Sequence, residues 1–173
     1  CGIVSDSDRF LLYYTSVETF DIVSTLVKRT GITISSLYEK LYERPIEEVR
    51  FHGYISSHLE VTENGFAFVK ITDDIIHEFG VDSSTASSII NDFNFIKDVY
   101  VWVFATYDAK NAVYKINIRS KGPVINEIAS RYHGGGHKFA SGVRTNSEKD
   151  VENLFQDLDK ACHDYKEHIS SNG

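Results

Sequence analysis

Three consecutive glycines, Gly134 to Gly136, constrain this 173-residue chain more than any other feature of its sequence. Without Cβ atoms the backbone can turn sharply there, and a ligand can approach the main chain closely. Several amide N–H groups can then point into one concavity and bind phosphate oxygens. His137 and Lys138 follow at once and add a hydrogen-bond donor and a cation. A flexible turn between a helix and a strand is the alternative, but the neighbouring residues favour anion binding.

A second group of polar residues precedes the glycines. At the end of a predicted strand, Arg119 can present a planar pair of donors to phosphate, and Ser120 can present a hydroxyl. Asn126 lies on the predicted helix between this strand and the glycine run. A solvated strand end for Arg119 and a surface position for Asn126 are equally open interpretations. Together with the glycine run, these residues predict a phosphate-binding site.

The bulk composition excludes several classes of protein. The chain is 42% hydrophobic and 25% charged, as globular proteins are. The opening CGIVSDSDRF does not have the pattern of a signal peptide, and no apolar run approaches the roughly 20 residues that span a bilayer. We therefore expect a cytoplasmic protein in which Cys1 and Cys162 are reduced thiols. The net charge of -7 disfavours binding of long duplex nucleic acid, but it tolerates a small anion held by a few local donors.

The chain contains no Met and begins inside an apolar run at Ile3-Val4. These features predict a fragment of a longer protein. Modified methionines omitted from the sequence would be another explanation.

The hydrophobic pattern changes near residue 58. Before it we predict a short strand and loop in residues 1–14, and then helices that start at Thr15, Thr33 and Pro45. After it, the alternation around Asn64-Gly65 predicts a hairpin with a type I′ turn.

The rest of the chain alternates between strand and helix patterns. The predicted elements are a helix over 82–92, strands near 98–107 and 112–120, a helix over 123–131, a strand after the glycines and a last helix capped by Ser147. The predicted fold class is therefore α/β of the layered α+β kind, a mixed sheet with flanking helices, preceded by a helical segment.

The glycine run lies in a segment, INIRSKGPVINEIASRYHGGGHKFASG, that resembles the DHH-associated domain of the DHH phosphoesterase family. The opening GIVSDSDRF resembles a GI-x-x-D-T-G-R-F segment of the same family's catalytic domain. The resemblance implies that residues 1–58 are the C-terminal tail of the catalytic DHH domain. It implies that residues 59–173 are the substrate-binding domain.

The resemblance also implies roles for particular residues. Two metal ions, usually manganese, sit among Asp and His residues of the catalytic domain, and Asp6 occupies the position of the last such ligand. The glycines and His137 contact phosphate, and Arg119 and Ser120 position the substrate. Asp6 and His137 are counted as the catalytic residues. The predicted substrate-binding set is Arg119, Ser120, Asn126, Gly134, Gly135, Gly136, His137 and Lys138.

Departures from the family pattern limit what the chain can do alone. It has no Asp-His-His, Asp8 replaces a family glycine, and His133 stands where many members carry a fourth glycine. One carboxylate cannot hold two divalent ions, so we expect no appreciable phosphodiesterase activity from this chain by itself. The missing half of the DHH domain is an expected partner, and a homodimer is left open.

The leading functional hypothesis is the substrate-binding part of a metal-dependent phosphoesterase that hydrolyses short single-stranded RNA or DNA or nucleotide phosphates. A cyclic-dinucleotide phosphodiesterase and a RecJ-like single-strand exonuclease are the alternatives within the family. A non-catalytic nucleotide-binding module is the alternative from another class. An alanyl-tRNA-synthetase-type accessory domain shares the glycine loop, but the GIVSDSDRF segment argues against it.

Three further features have simpler interpretations. Asp73, Asp74 and His77 have the spacing of a metal cluster on a helix, but acids at a helix start explain them better. Trp102 is assigned to packing. Tyr132 could stack on a base, although packing is the more common role for such a residue.

Overall fold

The computed structural model describes residues 2–7, 9–11 and 15–171. The chain forms two compact units, Cys1–Pro45 and Ile46–Gly173. None of the described helices is both long and apolar enough to cross a membrane.

The first unit is helical in its described residues. Its helices are α1 (Gly2–Asp6), α2 (Val17–Thr30) and α3 (Ile34–Tyr42). Thr33 precedes α3 as predicted, and Gly31 ends α2 in a left-handed conformation, with φ of 65°. The predicted start of α2 was one residue early, because Ser16 rather than Thr15 is the N-cap, and its amide donates to the Thr19 hydroxyl (3.3 Å).

The strand predicted at the start of the chain is wrong for residues 2–6, which form α1. The Ser7 amide and hydroxyl both donate to the Ile3 carbonyl, at 3.1 and 2.6 Å, so the backbone is satisfied locally. A strand would need a neighbouring strand for its hydrogen bonds, and the described residues of this unit provide none. Residues 1, 8 and 12–14 lie outside the described residues, and so do the predictions for Cys1 and Asp8.

The second unit is a mixed six-stranded sheet with helices on both faces, which is the predicted fold class. The strands are β1 (Glu60–Val61), β2 (Phe66–Ile71), β3 (Val101–Asp108), β4 (Val113–Ser120), β5 (Gly135–His137) and β6 (Ala140–Thr145). Their spatial order is β1-β2-β3-β4-β6-β5, and all pairs are antiparallel except β2 with β3. The sheet thus ends in a hairpin that contains the glycine run.

Five helices and a 3-10 turn complete this unit. They are α4 (Ile46–His58), α5 (Asp73–Phe79), α6 (Thr85–Ile89), the 3-10 turn (Ile90–Phe93), α7 (Asn126–Arg131) and α8 (Glu148–Ser171). The helix predicted over 82–92 is therefore two short elements. The predicted cap of the last helix is confirmed, because the Ser147 hydroxyl accepts a hydrogen bond from the Asp150 amide (3.1 Å).

Alternation along the strands gives the sheet two apolar faces. One face, with Val103 and Ile118, packs on α7 and α8 around the buried Leu154. The other, with Phe104 and the buried Trp102, packs on α4, α5 and α6. Each face buries side chains from successive strands, as a sheet between two helical layers requires. Cys162 belongs to the first core, where burial raises the pKa of its thiol to about 12.

The hairpin expected at Asn64-Gly65 is present, but its turn differs from the prediction. The connection between β1 and β2 is four residues long, and Gly65 has a positive φ of 85° whereas Asn64 does not. The Gly65 amide donates to the Thr62 carbonyl (3.0 Å). A two-residue type I′ turn is therefore wrong here, because the side chains of Thr62 and Asn64 instead donate to Asp159 of α8.

Along the chain, the boundary between the compact units falls between Pro45 and Ile46, whereas the expected domain boundary lies near 58. The two boundaries differ because helix α4 belongs to the second unit. Its Phe51 and Ile55 are fully buried in that unit's core. A hydrophobic core joins residues into one unit regardless of where the sequence pattern changes. The assignment of residues 1–58 to the tail of a catalytic domain stays a prediction.

Replacing Phe51 with Ala tests the place of α4 in this core. We expect a loss of about 3 to 5 kcal/mol in the free energy of unfolding, because a fully buried aromatic side chain leaves a cavity. Trp102 fluorescence during urea denaturation measures it, since this sole tryptophan lies in the same core. Val49→Ala on the exposed side of α4 is the control, with a change within about 0.5 kcal/mol. Equal effects of the two substitutions would contradict the assignment of α4 to the second unit.

Candidate anion-binding face of the sheet

The register of β4, β6 and β5 brings the predicted residues onto one sheet face. Arg119 lies opposite Ala140, and Ala140 lies opposite His137, so the three form one row across the strands. Side chains at directly paired positions project to the same face. The Cα atoms of Arg119 and His137 are therefore about 10 Å apart, two strand spacings, with a small residue between them.

The next rows on this face follow at intervals of two residues. Asn117, Gly142 and Gly135 form the second row, and Lys115 lies opposite Arg144 in the third. We call this part of the sheet the open face; it comprises Lys115, Asn117, Arg119, Gly135, His137, Ala140, Gly142 and Arg144. Its middle is lined by small residues, so a ligand can lie against the sheet backbone between the flanking cations.

Helix α6 and the 3-10 turn, which lie on the same side of the sheet as Arg119, hold the polar side chains of β4 in place. The Arg119 Nε donates to the Asn91 Oδ1 of the 3-10 turn (3.0 Å), and its Nη1 donates to the Ile118 carbonyl (3.0 Å). The Asn117 Nδ2 donates to the Ser87 hydroxyl of α6 (3.0 Å). Helix α6 and the 3-10 turn therefore form one wall of the open face.

The Arg119 guanidinium is partly buried and has no carboxylate partner in the described part of the chain. Burial alone lowers its pKa, and no neighbouring acid offsets that change. Arginine nevertheless stays charged in proteins. A partly desolvated cation without a counterion is costly to maintain, so a bound anion would compensate it.

Gly135 and Gly136 belong to the edge strand β5, with Gly134 just before it, where the sequence suggested a loop. Gly136 has φ of 138°, and a Cβ there would lie 2.5 Å from the Ala140 carbonyl oxygen. A Cβ on Gly134 would meet the carbonyl oxygens of Gly142 and Ala129. These two glycines allow close backbone packing, whereas a Cβ on Gly135 would meet nothing within 4 Å.

The backbone amides of the glycine run are only partly available to a ligand. The Gly134 N–H donates to the Ala129 carbonyl at the end of α7 (2.9 Å). Gly135, Gly136 and His137 are exposed on the edge strand β5, where pairing on one side leaves part of the backbone polar groups unpaired. A nest that uses all three glycine amides is therefore not formed, and Gly135 to His137 are the exposed part of the motif.

Ser120 does not join the open face. It lies 8% exposed on the opposite side of the sheet, as the residue next to Arg119 in a strand must. Its hydroxyl donates to the Pro123 carbonyl (2.6 Å) and accepts from the Gly122 amide (3.1 Å). The predicted contact of Ser120 with substrate does not fit this geometry. Ser120 instead stabilises the turn after β4 through these two hydrogen bonds.

The other two predicted substrate residues lie outside the rows of the open face. Lys138 is exposed in the two-residue connection from β5 to β6, with its Nζ 5.3 Å from the centre of the Phe139 ring. Asn126 begins α7, which packs on the face opposite Arg119, and its buried Oδ1 has no hydrogen-bond partner among the described residues. The structure does not bring Asn126 onto the open face.

Asp6, the predicted metal ligand, belongs to the first unit. It lies at the end of α1 and is the one carboxylate among the described residues that line a cleft of about 450 Å³. No three His, Cys, Asp or Glu side chains of the described ranges come together as a metal centre. These residues therefore do not fit the two-ion centre that the DHH resemblance implies.

Three secondary candidates take the simpler roles. Thr72 caps α5 by accepting from the Ile75 amide (3.4 Å), so Asp73 and Asp74 are acids of its first turn. The Trp102 indole donates to the Ile90 carbonyl (2.8 Å) inside the core. The Tyr132 hydroxyl donates to Asp157 (2.5 Å), and burial and that carboxylate raise its pKa to about 12. Tyr132 is thus tied to α8 rather than free to stack on a base.

Sequence reasoning missed Asn117, Ser87, Asn91 and Arg144. For Asn117 a signal was present, because KINIR alternates polar and apolar residues and so places its polar members on the Arg119 face. Ser87 and Asn91 meet β4 only through tertiary packing, and no local pattern indicates that contact.

The fold and the cationic open face define an α+β domain with a candidate anion-binding surface. The DHHA1 domain family matches residues 64–164, more than half of the chain, and this protein belongs to that family. That match lies wholly within the second unit, and it includes the open face.

Comparison with curated proteins supports the same assignment. The chain is 35% identical over 167 residues to the bifunctional oligoribonuclease and PAP phosphatase NrnA of Bacillus subtilis, covering 96% of this chain and 51% of that protein. It is 32% identical to a probable NrnA of Streptococcus mutans, covering 91% of this chain and 50% of that protein. The chain thus spans about half the length of these relatives.

Solved structures show the same fold. An exopolyphosphatase-related protein from Bacteroides fragilis superimposes with a TM-score of 0.81 at 24% identity, over 92% of this chain and 49% of that one. A pGpG-specific phosphodiesterase from Vibrio cholerae gives a TM-score of 0.52 at 13% identity, over 85% of this chain and 51% of that one.

Alanine substitutions at Gly136 and Gly135 test whether the first position is closely packed and the second is open. We expect Gly136→Ala to lower the free energy of unfolding by about 1 to 3 kcal/mol, because of its positive φ and the contact with Ala140. Gly135→Ala should change it by no more than about 0.5 kcal/mol. Thermal unfolding of the two variants measures the difference. Equal stability of both would contradict the close pairing of β5 with β6.

Proposed function

We propose that this chain is the substrate-binding part of a phosphoesterase that hydrolyses short oligonucleotides and nucleotide phosphates. The NrnA relatives, which carry the names oligoribonuclease and PAP phosphatase, support this substrate class. The observation that carries the proposal is the row of Arg119, Ala140 and His137, with its partly buried and uncompensated cation.

In this proposal the phosphate group lies over Ala140 and Gly135, between the Arg119 guanidinium and the His137 imidazole. The Nη2 of Arg119, which makes no hydrogen bond to the described residues, donates to a phosphate oxygen. His137 is exposed and donates from the other side of the row. Because the Arg119 Nε is hydrogen-bonded to the Asn91 Oδ1, the guanidinium is oriented before the ligand binds.

The contribution of this chain to the reaction is binding and orientation. The described residues do not supply a metal centre, so the manganese dependence and the role of Asp6 stay predictions about the intact parent enzyme. A cytoplasmic location and a homodimer are likewise predictions. The net charge of -7 fits a substrate with few phosphates, because a long strand would meet repulsion from the rest of the acidic surface.

Arg119→Lys tests the role of the guanidinium. We expect the affinity for AMP to fall about tenfold, because lysine keeps the charge but loses the planar pair of donors and the bond to Asn91. Isothermal titration calorimetry without added metal measures the dissociation constants. Arg50→Gln on the exposed side of α4 serves as the control and should leave the affinity unchanged. Unaltered AMP binding by the Arg119 variant would contradict the proposed site.

Hydrolysis assays distinguish the enzyme fragment from a complete enzyme. We expect this chain to release no mononucleotide from a 5′-phosphorylated trinucleotide in the presence of manganese, while the intact parent enzyme does so. Chromatography of the products gives the measurement. Robust hydrolysis by the chain alone would show that the metal centre is complete here. Inactivity of the parent, with AMP binding retained, would favour a non-catalytic nucleotide-binding module.

A further inference from the structure

The open face continues beyond the row of Arg119 and His137 into a cleft of about 390 Å³. The second row, with Gly135 and Gly142, lies within this cleft, and the third row closes it with Lys115 and Arg144. The two rows of cations are four residues apart on β4, which is about 13 Å along the strand. The cleft is thus a continuation of the proposed phosphate site with cations of its own.

The two cations of the third row have different environments. Lys115 is already paired, since its Nζ lies 2.8 Å from the Asp108 carboxylate, and this contact holds the pKa of Asp108 well below its usual range. Arg144 is exposed and makes no ion pair or side-chain hydrogen bond within the described residues. Because Lys115 is paired with Asp108, Arg144 is the cation of this row that remains available to a ligand. A bound anion would also reduce the repulsion between Arg144 and Lys115, which lie directly opposite each other in the sheet.

His133 faces the same region. It lines the cleft of about 390 Å³ together with Arg144, and the pair also lines a neighbouring cleft of about 870 Å³. The residue is exposed and has φ of 58°, a left-handed conformation that glycine adopts at less cost. Its backbone thus favours glycine, whereas its imidazole adds a donor beside Arg144.

We propose that Arg144 and His133 form a second anion subsite, which binds an internal phosphate of a single-stranded oligonucleotide. This inference rests on the proposed function, in which the terminal phosphate occupies the row of Arg119 and His137. The strand then runs along the open face over Gly135 and Gly142. A single phosphate in the first row lies too far from Arg144 to contact it. The subsite therefore selects oligonucleotides over mononucleotides.

The wall beside the subsite fits a nucleotide strand. Ser87 and Asn117 lie between the two rows of cations, hydrogen-bonded to each other, and both line the cleft of about 390 Å³. Hydroxyl and amide groups can hydrogen-bond to sugar and phosphate oxygens without reading the base. The subsite is therefore expected to be indifferent to base sequence.

Arg144→Gln is the direct test, with a 5′-phosphorylated trinucleotide and AMP as the two ligands. We expect the variant to bind the trinucleotide about tenfold more weakly, as loss of a charged hydrogen bond does. The slope of log affinity against log salt concentration should fall by about 0.7, which corresponds to one lost phosphate contact on a single strand. AMP binding should be unchanged. Arg50→Gln on α4 controls for the loss of one positive charge and should alter neither ligand's affinity.

His133→Gly separates binding from folding. We expect a higher melting temperature, because glycine relieves the left-handed backbone, together with weaker binding of the trinucleotide. A residue with only a structural role would not raise stability and lower affinity at the same time. Calorimetric titration and thermal unfolding of the same preparation provide both readings.

The outcomes of these titrations separate the two proposals. If wild-type protein binds neither AMP nor the trinucleotide, the proposed function itself is wrong. If AMP binds but the trinucleotide binds no more tightly, or if Arg144→Gln weakens both ligands equally or neither, the second subsite is wrong while the first stands.

Discussion

The close approach of β5 to β6 and α7 is the constraint on which the candidate site depends. Side chains at Gly134 and Gly136 would collide with backbone carbonyls, so only glycine lets the edge strand pair at this register. That register is what places His137 in the row of Arg119. The glycines thus act first through packing, and the exposed backbone beside His137 is a consequence of that packing.

The same sheet serves two purposes on its two faces. On the side of α7 and α8, Ile116, Ile118 and Val143 belong to a closed apolar core that fixes the strands. On the other side, helices cover β2 and β3, while α6 and the 3-10 turn reach only the edge of β4 through Ser87 and Asn91. The uncovered strands carry Lys115, Arg119 and Arg144 in a chain of net charge -7, so their positive charge stands out from an acidic whole.

Much of this architecture could be predicted from the sequence, because local signals and tertiary structure agree. The apolar run of β3, the alternation in β4 and the cap at Ser147 identified their elements correctly. The glycine strand could not be recognised, since glycine has low strand propensity and β5 exists only through its pairing with β6. The substrate-binding role of Ser120 stays a prediction. Adjacent strand residues point to opposite faces, so the buried Ser120 hydroxyl does not share the face of Arg119.

In the proposed function, a phosphate group binds on the open face beside Arg119 and His137. Nuclear magnetic resonance of the isotope-labelled chain, titrated with AMP, tests it most directly. We expect shift changes at the amides of Gly135, Gly136 and His137 and at the Arg119 side chain, with α8 unaffected. Changes centred on α7 and α8, with the amides of β5 unmoved, would contradict it.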